Sequence, residues 1–190
     1  MHEPAAAPAA AARRHHGPVT RSFDVYRDGR LALTVRDEPG TLRSTAPPPP
    51  GAGPPPPPGT PAPNAHPFLD GQAHDAVSED QLGRLLAGSD SFDAYLQALL
   101  AAGYDVAAEG SGRELPGVAR LHDGDRLVGA IWPAGGRFTS LAGGEQRAFE
   151  HATATAYDAR AEAPILAALS ASSTFEALKA ELQRAGLRSA

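Results

Sequence analysis

At 190 residues with a formal net charge of −5, the chain is long enough for one domain with a substantial core and too short for two full ones. It has no cysteine, which excludes disulfides, thiolate metal sites and cysteine nucleophiles. Charge is uneven: residues 1–45 carry seven arginines against five acids, and residues 68–190 carry ten basic residues against seventeen acids. The second part therefore repels phosphate backbones at long range.

Residues 1–20 are rich in alanine and proline around Arg13, Arg14, His15 and His16. They lack the long apolar run of a secretory signal, and no window of the chain approaches 18 apolar residues. This stretch reads as a disordered arm, and the protein as soluble and cytoplasmic, without a membrane partner. Over 21–45, Phe23 and Val25 alternate with polar residues, Asp28-Gly29 follows, and Leu31, Leu33 and Val35 alternate again. An Asp-Gly pair supplies the positive φ angles of a tight turn, so this segment is expected to be a β-hairpin. A lone hairpin is marginal in water, and the natural partner is a sheet further along the chain.

Of the 19 prolines, 12 fall between Pro47 and Pro67, with uninterrupted runs at Pro47–Pro50 and Pro54–Pro58. Such runs favour the extended polyproline II helix and give a reach on the order of 50 Å. The segment is either a ligand for an aromatic groove or a spacer. Counting three on from Arg43 lands on Ala46 rather than proline, which favours the spacer. Residues 46–67 are thus expected to link the hairpin to an α+β domain over 68–190.

In that domain Glu79–Leu86 reads as a short helix ended by Gly88-Ser89. Next comes a helix that the chain writes twice. Asp90-Ser91-Phe92-Asp93-Ala94 runs on to Leu99, Ala102 and Gly103, and 83 residues later Ser173-Thr174-Phe175-Glu176-Ala177 runs on to Leu182, Ala185 and Gly186. Each copy opens on a capping hydroxyl and closes on a glycine suited to a left-handed C-terminal cap. Each is expected to bury its phenylalanine.

Between the copies, residues 104–108, 118–121, 127–132 and 138–141 read as three or four antiparallel strands forming a meander, with turns at His122-Asp123-Gly124-Asp125 and Gly135-Gly136. After Gly143-Gly144 a helix is expected from about Glu145 to Arg160, burying Ala148, Phe149, Ala152 and Ala156. Pro164 would open a shorter one through Ile165, Leu166 and Leu169. Strands flanked by helices at both ends make the fold class α+β.

No serine sits in a G-x-S-x-G elbow; Gly110-Ser111-Gly112 lacks the flanking spacing. No His-x-x-x-His pair exists, His2, His15, His16, His66 and His74 fall in segments read as flexible, and His122 sits in a turn. Neither a metal nor a cofactor is expected. Two constellations remain. The glycine loops Pro133–Arg137 and Leu141–Gly144 could offer backbone amides to a small anion, with Arg137 and Arg147 adding charge, although neither loop is a phosphate-binding fingerprint. Arg120, Arg126 and Arg137 stand near Trp132 and Phe138, the composition of a single-strand-binding sheet face.

The candidate binding residues are therefore Arg120, Arg126, Trp132, Arg137, Phe138 and Arg147. The leading expectation is a non-enzymatic protein-interaction or accessory module with a protein partner. A nucleic-acid accessory protein, disfavoured by the acidic charge, and a small-anion-binding protein or enzyme are the alternatives. Oligomeric state is not fixed by the sequence.

Overall fold

The computed structural model describes residues 20–44, 65–144 and 146–190, with residues 50, 51, 53, 54, 57 and 58 between them. The N-terminal arm up to residue 19, most of the proline-rich segment and Glu145 lie outside the described residues. Among the described residues no helix is long and apolar enough to cross a membrane.

The first half of the chain builds one sheet. Strands β1 (Ser22–Arg27) and β2 (Arg30–Arg36) pair across Asp28 and Gly29, both at positive φ. Three further strands, β3 (Gly40–Ser44), β4 (Ala65–His66) and β5 (Asp70–Ala73), precede helices α1 (Ala76–Ala87) and α2 (Phe92–Ala101), and β6 (Asp105–Ala108) closes the unit. The strand order is β4-β3-β5-β2-β1-β6.

The second half repeats this. Strands β7 (Ala119–Asp123), β8 (Arg126–Trp132), β9 (Gly136–Ser140), β10 (Arg147–Phe149) and β11 (Thr153–Ala156) are followed by α3 (Ala159–Ala171), α4 (Phe175–Arg184) and β12 (Arg188–Ser189). The order β10-β9-β11-β8-β7-β12 is that of the first sheet, element for element. The register agrees too: Thr34 opposes Gln72 as Ala130 opposes Thr155, Arg43 aligns with Gln72 as Thr139 with Thr155, and Val25 opposes Val106 as Leu121 opposes Ser189. Both hairpins shift register at the same place, after Val25 and after Leu121.

Local chemistry recurs with the topology. Asp75 and Asp158 cap α1 and α3 by accepting from the second backbone N–H onward. Ser91 and Thr174 cap α2 and α4, and Gly103 and Gly186, both at positive φ, end them with matching bonds from Tyr104 N to Leu99 O and from Leu187 N to Leu182 O. Ser44 donates to Glu79 on α1, and Ser140 donates to Glu162 on α3. The repeated helix is one part of a whole-fold duplication.

The proline-rich segment lies inside the first unit, because β3 and β4 on either side of it pair directly. Twenty residues separate Ser44 from Ala65, where six separate Ser140 from Arg147. Strands β1, β2 and β3 belong to the same sheet as β4, β5 and β6, with β1 between β2 and β6. β8 and β9 are not neighbours, since β11 lies between them and runs parallel to β9.

The helix expected over 145–160 is replaced by β10 and β11. Its alanines suggested a 3.6-residue period, but Ala152, Ala154 and Ala156 alternate with Thr153 and Thr155, and the β-branched threonines favour the pleated surface. α3 begins at the Asp158 cap, so Pro164 is its sixth residue rather than its first and leaves only one backbone carbonyl without a helical partner.

Each sheet packs its inner face on its own helix pair. The first core sets Phe23, Val25, Leu33 and Val35 against Leu82, Leu86, Phe92, Tyr95, Leu96 and Leu99, and it extends to Trp132, Leu141 and Tyr157 of the second half. The second core joins Leu121, Ile131, Phe138 and Ala154 to Ile165, Leu169, Leu178 and Leu182.

The two repeated phenylalanines differ. Phe92 is 3% exposed and stacks on Phe23 at 6.2 Å between ring centroids. Phe175 is half-buried beneath Lys179 Nζ, because the counterpart of Phe23 is Ala119 and offers no ring. Phe92→Ala is therefore expected to cost about 3–5 kcal/mol and Phe175→Ala about half as much. Urea unfolding measures both, and equal losses would contradict the asymmetry.

Candidate functional site

The six residues singled out from the sequence do not share a surface. Trp132 is 0% and Phe138 2% exposed, and they sit on opposite faces of their sheet, opposing the successive residues Thr153 and Ala154 of β11. Neither ring is free to stack. Arg120 holds Asp105 through Nε and Nη2, both at 3.0 Å, and joins the two halves. Arg126 pairs with Asp158 at the end of the β7–β8 hairpin.

Arg137 and Arg147 lie on neighbouring cross-strand rows of β9 and β10 and point to opposite faces. Arg137 reaches Gln146 at 3.3 Å, and Arg147 covers the Phe149 ring at 5.3 Å. The two glycines before Arg137 serve packing. A Cβ at Gly135 would run into the Glu150 carbonyl and one at Gly136 into the Thr153 hydroxyl. With strands in place of the expected helix, no helix N-terminus follows Gly143-Gly144.

A polar constellation that the sequence did not disclose lies on the outer face of the first sheet, the side away from α1 and α2. Register places Asp24, Thr34, Gln72 and Arg43 in one row across β1, β2, β5 and β3. The corresponding row of the second sheet is Arg120, Ala130, Thr155 and Thr139. There the face is buried: Ala130, Trp132 and Thr155 are all 0% exposed. In the first sheet Arg36 and Asp70 stand where the second has Trp132 and Thr153, and His74 stands where it has Tyr157. Same backbone, opposite surface chemistry.

Asp24 anchors this face. It is 4% exposed; its Oδ1 accepts from the Thr34 hydroxyl at 2.8 Å, and its Oδ2 accepts from the Gly110 N–H at 2.8 Å. Thr34 Oγ1 also lies 3.0 Å from His74 Nε2. Because the single hydroxyl proton is directed at Asp24, His74 must donate from Nε2, and the three side chains form one chain of hydrogen bonds. Beside it Arg36 pairs with Glu109 at 2.7 Å and Arg43 with Asp70 at 2.9 Å. These four residues with Thr34, Gly71 and Gln72 line an open cavity of about 210 Å³.

The electrostatics follow burial. Desolvation pushes the Asp24 carboxyl above the usual aspartate value, opposed by the hydrogen bonds from Thr34 and Gly110 and reinforced by Glu109. Glu109 is held below the usual glutamate value, chiefly by its bond from Arg36. Among the described residues no group of three or more His, Asp or Glu is placed to hold a metal ion. Compared with protein-family models, with curated protein sequences and with solved structures, the chain matches none of them.

A carboxyl with a raised folded-state pKa binds its proton more tightly in the native than in the unfolded chain, so ionisation opposes folding. Relative to Asp24→Asn, the wild-type protein should lose stability as pH rises from the ordinary aspartate range through the raised value, with a constant difference beyond it. Urea unfolding across a pH series measures this. A wild-type stability that rises relative to Asp24→Asn over that range would contradict the assignment.

Proposed function

We propose that the protein is a non-enzymatic interaction module of the cytoplasm, whose outer first-sheet face receives a protein partner. One observation carries this reading. Two copies of one fold present the corresponding sheet face as a buried apolar packing surface in one half and as an open polar surface in the other. A face that merely needed solvation would not require a buried Asp24, a Thr34–His74 chain or two ordered arginine–carboxylate pairs. Ordered charges of both signs favour a partner with complementary charges and reject wrong ones by leaving pairs unmatched.

The paired state of Arg36, Arg43 and Arg120 supports a protein rather than a nucleic acid, because a guanidinium bonded to a carboxylate has less to offer a phosphate. Burial of Trp132 and Phe138 removes the stacking platform that the nucleic-acid reading needs. The proline-rich insertion, which in sequence joins two strands of the same sheet, is a second recognition element or a spacer.

A photocrosslinking side chain at the exposed Gln72 should capture a defined protein that the same probe at Gln183, on α4, does not. That protein, purified, should bind the wild-type chain and lose about tenfold or more in affinity to Arg43→Glu, the scale of one charge-assisted contact. Equal capture from both positions, or crosslinks to nucleic acid alone, would overturn the proposal.

A further inference from the structure

The edge of β2 that faces away from β1 has two partners set end to end. Residues Leu33 to Arg36 pair with β5, whereas Arg30 bridges Glu114 in the segment that follows β6. β5 ends as His74 N donates to Ala32 O at 2.8 Å, and the later segment begins as Leu31 N donates to Arg113 O at 2.9 Å. Where these two partners meet, a cavity of about 360 Å³ opens, lined by Arg30, Leu31, His74, Arg113 and Glu114. Its size lies within the range of small-molecule sites.

The rim is held in place. The Gly110 N–H bonds Asp24, Tyr26 Oη donates to Gly112 O at 2.6 Å, Leu115 N donates to Gly29 O at 2.8 Å, and Leu115 itself is buried in the first core. The hairpin turn fits tightly beneath it, since a Cβ on Gly29 would sit 3.2 Å from Pro116 Cα. On the other wall, the Asp24–Thr34–His74 chain fixes the imidazole with Nε2 inward. The stapled backbone and the fixed imidazole need no reordering on binding.

Charge distinguishes this cavity from its neighbour. Arg36 and Arg43 are paired, but Arg30, Arg113 and Glu114 make no ion pair among the described residues. Arg30 and Arg113, on adjacent cross-strand rows and neither in an ion pair among the described residues, both line the cavity, each with a guanidinium able to fork two N–H donors onto one oxyanion, and its third wall is an imidazole with Nδ1 free of hydrogen bonds among the described residues. Glu114, the cross-strand neighbour of Arg30, is the one opposing group.

We infer that this cavity binds a small oxyanion, the carboxylate or phosphoryl group of a metabolite-sized ligand, between Arg30, Arg113 and His74. The site is separate from the glycine loops and does not depend on the protein-partner reading.

Nitrogen-edited NMR of the labelled full chain tests this, with sodium phosphate, sodium acetate and, as ionic-strength control, sodium chloride. Phosphate or acetate should shift the amides of Arg30, Leu31, His74 and Arg113 saturably, with a midpoint on the order of 1–10 mM, and chloride should not. The exposed Arg113 permits Arg113→Gln without disturbing the core; it should raise the midpoint about tenfold or more, while Glu114→Gln should lower it about threefold. Saturation by phosphate alone assigns a phosphoryl ligand and saturation by acetate alone a carboxylate, and either supports the site. Linear shifts in all three salts, or a midpoint that neither variant moves, would overturn it.

Discussion

The structure depends on how the outer edge of β6 is covered. Val106 directs its N–H away from β1, and the acceptor is the Tyr157 hydroxyl at 3.1 Å, supplied by the second half of the chain. A backbone donor buried at a strand edge without a partner costs about 1–3 kcal/mol. The adjacent Asp105, 2% exposed, is compensated by Arg120, again from the second half. Burial raises the Tyr157 hydroxyl above the usual tyrosine value, so it stays protonated and can both accept and donate. The second sheet must therefore lie against this edge, and its outer face must be apolar where it does.

From that placement the divergence of the two halves follows. Both keep strand order, register, caps and the Ser–Glu bond between sheet and helix, which are what the fold itself requires. They differ where one copy is covered and the other is open. Asp24 and Arg120 occupy corresponding positions with opposite charge, as do Asp105 and Arg188. Ala130, Trp132 and Tyr157 stand against Thr34, Arg36 and His74. The first half's outer face, not consumed in joining the halves, keeps a hydrogen-bonded polar surface, and the proposed binding chemistry is concentrated there.

Much of this was legible in the sequence, and the losses have definite causes. The α+β class, the helices at Phe92 and Phe175 and the extended 104–108 segment could be read from caps, glycines and alternation. The full duplication could not, because its two parts have different offsets. Strands β1 to β3 recur 96 residues later and everything from β4 onward 83 residues later, the proline-rich insertion making the difference. A search at one fixed period finds only the helices. A repeated hint, Asp28-Gly29-Arg30-Leu31 against Asp123-Gly124-Asp125-Arg126-Leu127, lies on the other side of that insertion.

The polar site was hidden for a different reason. Asp24 looks like an ordinary solvent-facing strand residue, and it is buried by a loop that arrives 86 residues later. His74 fell in a stretch that composition marked as flexible, whereas backbone pairing with Ala32 fixes it. Conversely, Trp132 and Arg120 had the composition of a binding face but are spent on the junction. Composition alone does not separate a face that binds another molecule from one that binds the other half of the same chain.

Native-state hydrogen exchange at the Val106 amide, in the wild-type protein and in Tyr157→Phe, tests most directly whether the halves are fused at β6. If they are, this edge amide in the wild type exchanges only through global unfolding, and loss of the hydroxyl selectively accelerates it while the β1–β2 amides keep their relative protection. Fast exchange of Val106 in the wild type, or a rate that Tyr157→Phe leaves unchanged, would contradict the account.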